Sequence, residues 1–289
     1  MKTAALVGVL VMAHGGDPAW NRAVEQAVEP LRAKHPTALA YGMASADALQ
    51  KAVSELEAKG VRKVAVVRLF LKGDSFLART EKILGVEPGA GPRPADWDAS
   101  SAHGGHGAHG GHGAMHMDPE LMPLWRVVSE STFTVSSRGL LEAGLGPPIM
   151  AKRAKALSKD PKKESVLLVA HGLGDDAADA GWRAAMGPAV ESVRKAAPFR
   201  SVKALTLRDD WPEAHAKAVA EIKAYASEAK KDGGRLLLIP YRLSGFGPQA
   251  GSLKGIDAKR DDKGLLPDAL VSEWLITESE ALMKDAGWN

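Results

Sequence analysis

The sequence predicts an α/β protein of two tandem related domains, each a parallel β-sheet flanked by helices. Three observations predict it. An apolar run ending in Ala-His-Gly occurs twice, at 5-ALVGVLVMAHG-15 and 166-VLLVAHG-172. Each run is followed, in the same order, by a helix-period segment, a short strand, a second helix and a second apolar run. Both series then close on Gly-Leu-Leu and a further helix, at 139–157 and 264–282. Strands alternating with helices of this length form a parallel sheet covered on both faces. The expected halves are residues 1–160 and 161–289.

In the first half, the run to Ala13 is continuously apolar, as a strand buried on both faces must be. Asp17 is placed to cap a helix over 17–35, with Pro18 at its first position. A short strand, 38-ALAYGM-43, leads to a helix over 46–60. The run 61-VRKVAVVRLFLKGD-74 follows, rich in β-branched residues. The second half repeats this as a strand ending at Ala170, a helix over 175–198, a strand over 202–207, a helix over 212–234 and an apolar run over 235–247. Trp20 and Trp182 occupy similar places in the two copies. Only the first half carries an insert, about 85–131. It opens with proline and glycine, passes through 103-HGGHGAHGGHGAMH-116, and resumes helix-like character over 118–131. Composition predicts a flexible surface loop in its middle.

A chain of 289 residues is long enough for two domains with sizeable cores, and 45% hydrophobic with 25% charged residues is ordinary for a globular protein. A net charge of +3 gives no argument for nucleic acid. Without cysteine there is no disulfide, thiolate metal site or cysteine nucleophile. The start of the chain has the look of an export leader, but its recurrence in mid-chain favours a strand. No run reaches the roughly 20 apolar residues of a membrane span. Phosphate loops, nucleophile elbows and zinc-protease motifs are absent. Metal chemistry therefore falls to imidazole, carboxylate or methionine.

In open α/β sheets, ligands bind beyond the carboxyl ends of the strands. That rule places His14, His171, 72–74 and 244–247 at the binding edge. A neutral imidazole there is a metal ligand and a general base near neutral pH, or else a structural side chain that caps the strand end. His103, His106, His109, His112 and His116 have too much glycine between them for a helix. In an extended chain they stand about 9 Å apart, too far for neighbours to share one ion. They suit several weak, exchangeable sites for first-row metals, as an accessory to catalysis; the alternative is a plain low-complexity linker. His215, close to Asp209 and Asp210, is a secondary metal candidate, and His35 reads as solvent-facing.

The Ala-His-Gly after strand one, its helix, 49-LQKAVSELEAKGVRKVAVVRLFLKGD-74 and the closing Leu-Gly-Pro helix resemble the class II chelatases, which insert cobalt, nickel or iron into sirohydrochlorin. The two-domain cobalt enzymes of cobalamin synthesis are similar in length, and several carry a histidine-rich segment. The resemblance extends over nearly the whole chain apart from the insert. It implies a lyase whose substrates are a divalent metal, Co2+ before Ni2+ or Fe2+, and a sirohydrochlorin-type tetrapyrrole, with no organic cofactor; the expected compartment is the cytoplasm, or the periplasm if an upstream signal was removed. His14, and by repetition His171, would hold metal and help remove pyrrole protons. Arg68, Lys72, Arg79 and Arg242, with Arg208 and Lys254, would orient the substrate carboxylates. The family places a second histidine shortly after the Leu-Phe-Leu strand; here Ser75 or Phe76, and Gly247 in the second half, stand there. Asp74 and Glu81 are the oxygen ligands available nearby. The alternative function is therefore a relative that binds metal or tetrapyrrole without inserting one.

Overall fold

The computed structural model describes residues 6–98 and 124–288, and it divides into two compact units, Met1–Ala143 with Ala269–Asn289, and Gly144–Asp268. In the first unit, β1 (Leu6–Ala13), β2 (Thr37–Tyr41), β3 (Val61–Leu69) and β4 (Thr132–Val135) form a parallel sheet in the order β2-β1-β3-β4. Helices α1 (Pro18–Arg32), α2 (Ala46–Ala58) and α3 (Leu77–Leu84) connect them. Val9, Leu10 and Val11 are wholly buried, the cause of the unbroken apolar run in β1. Asp17 caps α1 by accepting from the Ala19 and Trp20 amides at 2.8 and 2.9 Å.

The second unit repeats the plan with β5 (Glu164–Ala170), β6 (Ser201–Thr206), β7 (Arg235–Pro240) and β8 (Lys259–Arg260) in the order β6-β5-β7-β8, all parallel. Its helices are α4 (Gly146–Leu157), α5 (Asp176–Ala185), α6 (Gly187–Ala196) and α7 (Pro212–Ala229). The single helix expected over 175–198 is two, because Gly187 and Pro188 interrupt it. The repeated Gly-Leu-Leu does the same work in both units. Leu140 and Leu141 donate to the Phe70 and Leu71 carbonyls at 3.0 and 2.9 Å; Leu265 and Leu266 donate to Arg242 and Leu243 at 2.8 Å each. Glycine precedes them because a Cβ at Gly139 or Gly264 would stand 2.6 Å from a carbonyl oxygen of the opposing strand end.

Three features depart from the sequence expectation. Each sheet has a fourth strand, β4 and β8, that periodicity did not mark. The compact units also do not divide at residue 160. α4 falls in the second unit, packed on α6 and β7, whereas α8 (Ala269–Asp285) packs on α1, β3 and β4 of the first. Helix-like character was expected over 118–131, but the described part, 124–131, is an irregular strap over α2. Trp125 and Val127 are buried in the core beside Leu49 and Val53, and the Gln50 amide bonds both the Val128 carbonyl (2.9 Å) and its amide (2.8 Å).

Glu57 ties down the end of this strap. Its Oε1 accepts from Ser129 Oγ (2.6 Å), Ser131 Oγ (2.8 Å) and the Glu130 and Ser131 amides (2.9 and 3.2 Å). Burial pushes the carboxyl up, but these hydrogen bonds and Arg62 outweigh it and leave the pKa lowered. A depressed folded pKa contributes stability that is present above the unfolded value and is lost as pH falls through the folded one. Glu57→Gln should therefore cost about 1–3 kcal/mol near neutrality. Denaturant titrations of both proteins should show that difference shrinking below about pH 4. A pH-independent difference would remove the carboxylate from the explanation.

Candidate metal centre

Ala170 at the end of β5 lies opposite Thr206 at the end of β6, so His171 and the loop 207–211 leave the sheet side by side. Two buried side chains stitch these loops together. Asp179 accepts from Thr206 Oγ1 (2.8 Å), Arg183 Nε (2.9 Å) and the Leu173 amide (3.1 Å). Arg208, at φ 53°, donates to the Leu173 carbonyl (2.6 Å) and to the Gly174 carbonyl, and pairs with Asp176 at 2.6 Å. Gly172, at φ 88°, is required where they meet, since a Cβ would stand 2.6 Å from both Asp179 Oδ1 and Thr206 Cβ.

This frame aims His171 at two carboxylates. Its Nδ1 lies 2.9 Å from the Gly172 carbonyl, an acceptor, which makes Nδ1 the donor and turns Nε2 outward. Nε2 is 2.9 Å from Asp210 Oδ2 and 3.7 Å from Asp209 Oδ1. There it serves either as a proton donor to Asp210 or as a lone-pair donor to a cation shared with both acids. One atom from each of the three residues lies within 4.8 Å of the others. Donors bound about 2.0–2.2 Å from one ion stand no more than about 4.4 Å apart, a range that includes both distances from Nε2. Asp209 Oδ1 is buried and makes no hydrogen bond, and the side chain is only 10% exposed. A buried carboxylate oxygen left in that state is costly unless a cation meets it.

Around the centre, Arg242 follows β7 with Nη1 4.0 Å from Asp209 Oδ1; this Nη1 is likewise buried without a hydrogen bond. Burial pushes the guanidinium down, Asp209 and Asp210 pull it up, and the net direction is down. Trp211 stands edge-on to His171 at 6.0 Å and 89° and, with Leu173, is exposed as an apolar rim. Trp211 lies close against Gly174, where a Cβ would come within 2.5 Å of its Nε1.

The first unit places His14 at the same strand end, with Nδ1 2.9 Å from the Gly15 carbonyl, but its surroundings differ. Its ring stacks on Trp20, centroids 5.3 Å apart at 13°. Ala13 pairs with Tyr41 as Ala170 pairs with Thr206. By this register Ala44 and Ser45 stand where the second unit has Asp209 and Asp210. Phe70, whose carbonyl takes the same Gly-Leu-Leu hydrogen bond as that of Arg242, stands in the arginine's place. Among the described residues, His171, Asp209 and Asp210 are the only group of three metal donors.

Other predicted residues have different surroundings from those expected. Arg68 is 1% exposed and donates to the Ser136 carbonyl (2.8 Å), the Ser75 carbonyl (2.5 Å) and the Gly73 carbonyl, so its guanidinium is engaged in holding the loop after β3. Arg208 is likewise internal. Lys72 lies 3.7 Å from Asp74, and Arg79 donates to the Ala44 carbonyl at 3.0 Å. His215 turns from the two aspartates to the Leu207 carbonyl (2.7 Å) and Ser252 Oγ (3.0 Å). His35 is half-buried with a buried Nε2, not solvent-facing. His103, His106, His109, His112 and His116 lie outside the described residues. Sequence reasoning missed Trp211 and the pairing of His171 with Asp209 and Asp210. The signal was 209-DD-210 after a strand, with no counterpart in the first half.

The CbiX family model matches residues 8–76, from within β1 to the loop after β3. SirB from Bacillus subtilis with Fe3+ superposes with a TM-score of 0.60 at 12% identity, covering 98% of each chain. DR2241 from Deinococcus radiodurans, described as a multi-domain protein with structural similarity to chelatases and two additional novel domains, gives 0.53 at 18% identity. That match covers 95% of this chain and 55% of the other, so the chain spans about half the length of DR2241. No curated protein matches the chain in sequence. At these identities the likeness to the solved structures is one of fold, and the similarity to the CbiX family lies in residues 8–76 of the first unit.

Proposed function

We propose that the chain is a chelatase that inserts a divalent first-row metal into a sirohydrochlorin-type tetrapyrrole, with the second domain holding the metal. The observation that carries this is the convergence of His171 Nε2, Asp209 Oδ1 and Asp210 Oδ2 within 4.8 Å. One imidazole and two carboxylates grip a cation yet leave coordination positions open, which metal transfer into a macrocycle requires. Co2+ is the favoured ion, with Ni2+ and Fe2+ next; the Fe3+ in the SirB structure supports testing iron. A carboxylate released as the metal departs is placed to accept a pyrrole proton. The rim of Trp211 and Leu173 suits the flat apolar body of a tetrapyrrole, and Arg242 suits its carboxylates; Lys72 and Arg79 are the first domain's own candidate cations for such groups. The five tract histidines act as metal collectors that feed the centre. The setting is cobalamin- or siroheme-type biosynthesis in the cytoplasm.

A second reading, a carrier that binds metal or tetrapyrrole without turnover, is favoured by the absence of histidine from the turns after β3 and β7. An anaerobic absorbance assay of Co2+, Ni2+ and Fe2+ insertion into sirohydrochlorin separates them. Insertion no faster than the spontaneous reaction, with metal and tetrapyrrole both bound, would establish the carrier.

A further inference from the structure

We propose that Arg242 is a receptor for a carboxylate and that metal binding in the second domain releases it for that role. This rests on the metal centre proposed above. The backbone of Arg242 is pinned by Leu265, so its guanidinium is presented at the site from a fixed turn. Its Nη1 and Asp209 Oδ1 are both buried, both without a hydrogen bond, and 4.0 Å apart. Two opposite charges held close but not hydrogen-bonded leave each with unmade bonds in a poorly hydrated place. They need different visitors: Asp209 a cation, Arg242 an anion with planar oxygens to match its fork.

The two needs are linked through charge. Without metal, the carboxylates of Asp209 and Asp210 balance the guanidinium and repel an incoming anion. A divalent cation on His171, Asp209 and Asp210 cancels that charge and leaves Arg242 the uncompensated group. A carboxylate then binds more tightly, and by reciprocity a bound carboxylate tightens the metal. The order that follows is metal first and the acidic side chains of the macrocycle second. Phe70 at the corresponding place leaves the first domain without this device.

The test uses the full-length chain with the five tract histidines replaced by serine, and Co2+ as a visible-absorption probe, titrated with and without propionate. Propionate should tighten Co2+ binding by about fivefold or more, a coupling of ordinary size. In Arg242→Met that effect should vanish while Co2+ alone binds more tightly than in the parent, and Arg242→Lys should restore part of it. An equal propionate effect in Arg242→Met, showing that the anion reaches the metal directly, would overturn the proposal, as would weakened Co2+ binding in a folded Arg242→Met protein. If His171→Ala binds Co2+ as the parent does, the metal centre itself falls and takes the coupling with it. If His171→Ala loses Co2+ but propionate has no effect on the parent, the coupling alone falls.

Discussion

His171→Ala should lower the rate of Co2+ insertion at limiting metal by roughly 100-fold or more, the scale of losing a ligand that also serves proton transfer. His14→Ala should stay within about threefold of the parent, since a residue outside the reacting set contributes little to the transition state. The asymmetry comes from what each imidazole faces. His171 Nε2 meets two carboxylate oxygens at 2.9 and 3.7 Å, whereas His14 stacks on Trp20, and by strand register Ala44 and Ser45 occupy the places of the aspartates. Asp209→Asn together with Asp210→Asn should match His171→Ala, while either change alone should cost less because the remaining carboxylate still ligates. Insertion rates as a function of Co2+ concentration, with the tract histidines removed to prevent storage of metal, give the comparison. Equal losses from His14→Ala and His171→Ala would end the assignment of the metal to the second domain.

Arg68→Ala should destabilise the first domain by roughly 3–5 kcal/mol, the cost of breaking a buried charged hydrogen-bond set and leaving its acceptors unpaired. Three carbonyls lose their donors at once: Gly73 and Ser75 in the turn after β3, and Ser136 just beyond β4. Burial lowers the Arg68 pKa, with Glu81, Asp74 and Glu142 acting against it, so the residue stands in a desolvated place with acids around it. Arg68→Met, which keeps much of the volume, should still lose about 2–4 kcal/mol because the carbonyls remain unpaired. Thermal unfolding followed by circular dichroism should show a drop of several degrees for both variants, at about 2–4 °C per kcal/mol for a domain of this size. Co2+ affinity should be unchanged. An unaltered melting temperature with a raised KM for the tetrapyrrole would return Arg68 to the substrate-binding role that its sequence position suggests.

Much of the architecture was legible because the chain states it twice. The twin Ala-His-Gly runs, the caps at Asp17 and Pro18, and the repeated Gly-Leu-Leu each report a local requirement: burial on both faces, an unpaired helix amide, a carbonyl too close for a Cβ. The fourth strands were hidden because β4 follows the insert and β8 is only two residues long. The placement of α4 and α8 was hidden because an amphipathic pattern states that a helix must be covered and not by what. His215 appeared the partner of Asp209 and Asp210 because it is near them in sequence. In the fold its two nitrogens meet the Leu207 carbonyl and Ser252, and parallel pairing of β5 with β6 brings His171 to the acids instead.

Residue order alone determined the fold class, the duplication and the edge of each sheet where chemistry would lie, since these follow from periodicity and from the direction of parallel strands. Tertiary structure alone decided which copy brings a histidine and two carboxylates together. The two histidines are equivalent in sequence; what separates them is the neighbouring strand's loop, brought alongside by a register that no local pattern encodes. Long-range pairing set two aspartates and an arginine beside His171, and two small residues and a phenylalanine at the matching places around His14.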